Sequence, residues 1–158
     1  MDAITMPSTT SILSQLKIDY PQFSFKKGDD FLWSSSDNTI YYDGTTNNRS
    51  IFLLHELSHA ILGHTSYDRD IQLIAIERQA WDHTAGLAPL YGVIIPDDIV
   101  QSTLDGYRDW LHSRSTCPKC QATGMQIDRY TYKCPACGHN WRVNEARTCA
   151  LRRYKTKS

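Results

Sequence analysis

The sequence predicts an α+β fold in two parts. A helical core carries a small antiparallel sheet, and a small cysteine-rich module follows it. Three observations predict this. Short aromatic or alternating runs cluster within residues 23–42, whereas longer apolar helical patterns occupy 49–63, 70–85 and 97–112. All five cysteines lie at or beyond Cys117. Charge divides near the same place: residues 1–110 hold 7 Lys and Arg against 15 Asp and Glu, and residues 111–158 hold 10 against 2. The two parts are therefore expected at 1–112 and 113–158 of the 158-residue chain. With 41% hydrophobic and 22% charged residues, wholesale disorder and fibrous structure are excluded. No apolar run approaches the roughly 18–20 residues of a membrane span. The start, Met1 to Pro7, lacks the basic and apolar regions of an export signal. The expectation is a cytoplasmic chain with no membrane partner.

The elements follow in order. Residues 1–9 form a leader rich in Ser, Thr and Pro, and a short amphipathic helix is expected from Ser11 to about Asp19, ended by Pro21. Phe23 to Phe25, Phe31 to Trp33 and Thr39 to Tyr42 read as strands of an antiparallel meander, separated by turn residues at 27–30 and 34–38. The loop from Asp43 to Asn48 starts a largely buried helix over 49–63, stopped by Gly63. Two further helices are expected, from about Asp70 to Ala85 and from Asp97 or Asp98 to His112, with Pro89, Gly92 and Pro96 between them.

The helix over 49–63 carries the strongest chemical signal. His55-Glu56-Leu57-Ser58-His59 is an H-E-x-x-H motif flanked by Ile51 to Leu54 and Ala60 to Leu62. Four residues turn a helix through about 400°, so His55 and His59 share one face, one turn apart. Two imidazole nitrogens can then reach one zinc ion at about 2.0–2.1 Å. Glu56 lies about 100° round, outside that coordination sphere but within reach of a metal-activated water, the place of a general base.

A catalytic zinc needs a third protein ligand and one open position. Glu77 sits beside the apolar stripe of Leu73, Ile74, Ala80 and Trp81, and an inward carboxylate there would complete a His₂Glu set. Asp82 and His83 are alternatives, Asp82 also as an orienting partner of a ligand imidazole. His64 would fall on the face opposite His55 if the helix continued. Gly63 breaks it, so His64 reads as a helix-end residue near the last carbonyls.

His55 to His64, followed by Glu77-Arg78-Gln79-Ala80-Trp81, resembles the ImmA/IrrE-type metallopeptidases over roughly residues 10–95. That family shows an H-E-L-x-H-x-x-L-G-H-like helix and a later Glu followed three residues on by Ala. The resemblance implies a zincin-like core, zinc held by His55, His59 and Glu77, and Glu56 as the base. It also implies an intracellular protein substrate, such as a DNA-binding regulator. The chain departs from the family after Glu77, where Trp81-Asp82-His83 and Ala88-Pro89 replace its usual continuation.

Cys117-Pro-Lys-Cys120 and Cys134-Pro-Ala-Cys137, with 13 residues between them, have the spacing of a closed structural Cys₄ zinc site. Gly138 suits the tight turn after the last cysteine. Met125 to Lys133 reads as one strand and His139 to Val143 as its partner. So small a module lacks a core, and metal would supply most of its folding energy. Arg142, Arg147, Arg152, Arg153, Lys155 and Lys157, with Tyr130, Tyr132 and Trp141, form a basic and aromatic set of the kind that grips single-stranded nucleic acid. A zinc-protease core joined to a ribbon also resembles SprT-like proteases, whose third ligand is a later His; Glu77 against His83 separates the two resemblances. The sequence thus implies a zinc-dependent endopeptidase with one catalytic and one structural zinc, the ribbon recruiting substrate or nucleic acid. The alternative is a non-catalytic recognition module on the same scaffold.

Overall fold

Thr39 and Ile40 are both buried, and the strand that carries them gathers the first sheet. In the computed structural model, which describes residues 9–45 and 48–143, the order is α1 (Thr9–Asp19), β1 (Ser24–Lys27), β2 (Leu32–Ser34), β3 (Thr39–Tyr42), α2 (Arg49–Ile61), α3 (Asp70–Leu87), a short 3-10 turn (Ala88–Tyr91), α4 (Asp97–Ser115), β4 (Met125–Asp128), β5 (Thr131–Lys133) and β6 (Asn140–Arg142). This is the expected α+β class. No helix among the described residues is long and apolar enough to cross a membrane.

The chain divides into two compact units, one of residues up to 65 with 78–97, the other of 66–77 with residues from 98 onward. The division passes along α3, between Glu77 and Arg78. The expected boundary after residue 112 falls inside α4, which runs on to Ser115.

In the first unit, β3 is the middle strand, in the order β1-β3-β2. β2 pairs with β3 antiparallel, Trp33 opposite Ile40. β1 pairs with β3 in parallel, Phe25 beside Ile40. The expected antiparallel meander is therefore corrected to a mixed sheet. The pattern could not show this, because side chains alternate with period two whichever way the neighbouring strand runs. Asn38, in a left-handed conformation (φ 53°), turns β2 into β3. Its side-chain amide donates to the Gln22 carbonyl, and its own carbonyl accepts from Ser24 N–H at 3.1 Å. The turn thereby holds the start of β1 against the start of β3. β2 and β3 lie against α2, whose Leu53, Leu54 and Leu57 are fully buried with Leu16 of α1. Burying four such side chains is worth about 1.5–3 kcal/mol each.

In the second unit, Leu73 at the start of α3 packs with Tyr107 and Trp110 of α4. Asp70 and Arg114 form a buried ion pair, Nε to Oδ2 at 2.9 Å. Tyr132 of β5 donates its hydroxyl to the same carboxylate oxygen at 2.5 Å, and Gln126 of β4 accepts the Asp70 N–H at 2.7 Å. Burial, then the hydrogen bond to Asp70, pushes the Tyr132 phenol well above its ordinary range, so it stays a donor at any physiological pH. The Arg114 guanidinium lies over the Trp110 ring at 4.8 Å, and the Arg114 carbonyl accepts the indole N–H of Trp141. The cysteine-rich module is thus tied to α3 and α4 by a satisfied polar cluster instead of a core of its own. Met125 to Lys133 is a hairpin of two short strands, not the single strand expected; Arg129 and Tyr130 make its turn, where Asp128 accepts the Tyr130 N–H.

Removing Asp70 would leave Arg114 buried without its countercharge. Asp70→Ala is expected to lower stability by about 3–5 kcal/mol in chemical denaturation, whereas exchange at exposed Asp105 should cost well under about 1 kcal/mol.

Candidate metal centres

α2 places His55 and His59 one turn apart, both buried, with their Nε2 atoms 3.2 Å apart. Two nitrogens on one tetrahedral zinc at about 2.0–2.1 Å would lie about 3.3 Å apart. Glu77 of α3 is 2% exposed, and one donor atom from each of His55, His59 and Glu77 lies within 4.8 Å of the others. Three ionisable side chains buried among leucines carry a desolvation cost that a shared cation offsets. The donor set is the His₂Glu type, which leaves a zinc position open. Trp81, one turn beyond Glu77, stacks on the His55 ring at 4.1 Å and 28° and fixes its plane.

Glu56 is not part of that group. It is half-buried, and its Oε2 accepts the backbone N–H of Trp33 at 2.8 Å. A backbone donor from β2 thus fixes one oxygen of the carboxylate that follows His55 in the chain. His83 Nδ1 lies 3.1 Å from the Ser58 hydroxyl, which also accepts from Thr84 Oγ1 and donates to the Leu54 carbonyl. Asp82 is exposed. Neither joins the group with His55 and His59.

His64 lies at the helix end, as the Gly63 break implies, and its ring turns back toward the site. α2 ends in a reciprocal pair of bonds: Gly63 N–H to the Ala60 carbonyl at 3.1 Å and His64 N–H to the His59 carbonyl at 3.0 Å. Gly63 takes φ 71°, which costs glycine nothing. The reversal brings His64 back over the helix end, where its Nδ1 lies 2.9 Å from His59 Nδ1. Trp33 and Gln79 border the site without standing out in the sequence. Gly63 was the available signal for His64; none existed for Trp33, whose backbone and indole N–H groups do the work.

Cys117, Cys120, Cys134 and Cys137 form the second group, with all four sulfurs within 4.8 Å. The Cys117–Cys137 and Cys120–Cys134 sulfurs are 3.7 and 3.5 Å apart, near the roughly 3.7 Å expected for thiolates about 2.3 Å from one zinc. The two knuckles share one construction. Cys117 N–H bonds the Ala122 carbonyl and Gln121 N–H the Cys117 carbonyl; Cys134 N–H bonds the His139 carbonyl and Gly138 N–H the Cys134 carbonyl. Gln121 and Gly138 are equivalent positions, both left-handed at φ 67° and 79°. The Cys137 N–H, donated to Cys134 Sγ at 3.4 Å, is the first of the bonds that pull this thiol down to about 6, so a thiolate is available at neutral pH.

Of the basic and aromatic set, Tyr132 is buried on Asp70, and Trp141 stacks on it at 5.6 Å while donating to the Arg114 carbonyl. These two rings are committed to packing. Arg147, Arg152, Arg153, Lys155, Lys157 and the fifth cysteine, Cys149, lie outside the described residues. No protein family, curated protein or solved structure matches this chain, so the functional argument rests on the sites themselves.

Metal analysis of the purified full chain should find two zinc ions. His55→Ala, His59→Ala and Glu77→Ala should each lose one, with His83→Ala keeping both. The more chelator-resistant ion should be that of the Cys₄ group, which has no open position. Gly138→Ala should lower the unfolding free energy and Gln121→Gly raise it, each by about 1 kcal/mol of backbone strain, read in chemical denaturation. A Cβ at Gly138 would meet nothing within 4 Å, so packing does not confuse the comparison.

Proposed function

We propose that the chain is a zinc-dependent endopeptidase that hydrolyses peptide bonds of an intracellular protein substrate, with the Cys₄ module as a structural zinc ribbon that helps to recruit it. The observation that carries this reading is the convergence of His55, His59 and Glu77 on one buried point, with Glu56, next to His55 in the chain, outside the donor set and fixed by a backbone hydrogen bond. The resemblance of His55 to His64 and Glu77 to Trp81 to the ImmA/IrrE-type peptidases supports it. The engagement of His83 with Ser58 favours that resemblance over the SprT-like one.

His55, His59 and Glu77 would hold the catalytic ion and leave one position open. Bound there, zinc supplies Lewis acidity and brings the pKa of a bound water to about 7. Glu56, anchored through Oε2 by the Trp33 N–H, takes a proton from the attacking water and passes it to the departing amine. The fixed carboxylate needs no reorientation between the two transfers, which lowers the entropy cost of reaching the reactive geometry. A regulator protein bound to DNA remains the substrate class that the family resemblance suggests. The basic residues beyond the Cys₄ group would give such a complex a salt-dependent attraction.

Comparison of cleavage products in cells carrying wild type and Glu56→Gln tests the reading. The variant should retain two zinc ions and lose activity by about 10²–10⁴-fold. Identical cleavage profiles for the two, with both ions retained, would leave the non-catalytic recognition module as the better description.

A further inference from the structure

We propose that His64 is a positioning residue for the catalytic metal: it fixes the tautomer of His59 so that His59 Nε2 is presented to zinc. The inference rests on the peptidase reading for its metal and on the helix-end geometry for its residues.

His59 uses its two ring nitrogens in different directions. Nε2 lies 3.2 Å from His55 Nε2, on the side of the shared donor position. Nδ1 lies 2.9 Å from His64 Nδ1. Two imidazole nitrogens at this distance share one proton, so one donates and the other accepts. If His59 Nε2 gives its lone pair to the metal, its Nδ1 must carry the proton and donate to His64. His64 then accepts through Nδ1 and carries its proton on Nε2, which lies 3.0 Å from Gln79 Oε1, an atom that only accepts. With Gln79 Oε1 facing His64, the donors run in one direction: His64 Nε2 donates to Gln79, and His64 Nδ1 accepts from His59. Metal-bound imidazoles commonly require such an acceptor behind them.

The surroundings hold His64 in place without using its ring. Its backbone N–H bonds the His59 carbonyl at 3.0 Å, and its carbonyl accepts the Trp33 indole N–H at 2.9 Å. Trp33 is 6% exposed, and its own backbone N–H holds Glu56. One residue of β2 therefore steadies both the orienting histidine and the proposed base. Because the main-chain bonds persist when the ring is removed, substitution at 64 isolates what the imidazole contributes.

The test uses the full chain with ¹⁵N-labelled histidine. In the zinc-loaded wild type, long-range ¹H–¹⁵N spectra should show His59 protonated on Nδ1 and His64 neutral with its proton on Nε2. Chelator competition on protein whose Cys₄ site is already filled should show His64→Ala weakening the other site by about 10–100-fold. His64→Asn, whose side-chain oxygen can stand where Nδ1 stood, should recover most of that loss. A His64 proton on Nδ1 overturns the inference even if His64→Ala fails to fold. So does zinc affinity within twofold of wild type in a folded His64→Ala chain. A wild-type chain that takes up no ion at His55, His59 and Glu77 instead sinks the peptidase reading, and this inference with it.

Discussion

Burying two imidazoles and a carboxylate among leucines is the constraint on which α2 and its surroundings depend. Left alone, each group would favour solvent over a place in an apolar helix. Their donor atoms instead lie together, within 4.8 Å of one another. Trp81 fixes one ring by stacking, and the Gly63 turn returns His64 to the other. Leu53, Leu54 and Leu57 are fully buried, and the helix that carries them lies against β2 and β3. The packing supplies rigidity, and the polar groups supply the site.

The Cys₄ module answers the same problem differently. Its strands are three or four residues long and mostly exposed, so it has little apolar area to stabilise it. Sulfur ligation would replace a core within the module. The Asp70–Arg114–Tyr132 cluster replaces one at its base. Gly124 shows how close that base is: a Cβ there would meet Trp141 at 2.3 Å, so only glycine lets the indole settle against the end of α4.

Local spacing made much of this legible in the sequence. The i, i+4 histidines, the apolar stripe beside Glu77 and the paired C-x-x-C knuckles are all written within a few residues of one another, and the structure groups them as that spacing implies. What stayed hidden depends on distance along the chain or on backbone atoms. Trp33 reaches Glu56 across 23 positions through a main-chain N–H that any residue type would possess. Strand direction leaves no trace in alternation, so the parallel pairing of β1 and β3 could not be read. Gln121 adopts a left-handed conformation with no compositional hint, because the knuckle hydrogen bonds impose it.

The sharing of α3 between two compact units limits how the chain can be divided. The break in charge and cysteine content suggests a clean joint near residue 112, the natural place to cut a fragment or to exchange one module for another. Such a joint would sever α4 before Arg114 and remove Tyr132, stripping Asp70 of both side chains that answer its charge, although Leu73 would keep Tyr107 and Trp110. The composition marks two modules, but the buried carboxylate at the start of α3 takes both of its charge-answering partners from beyond the joint.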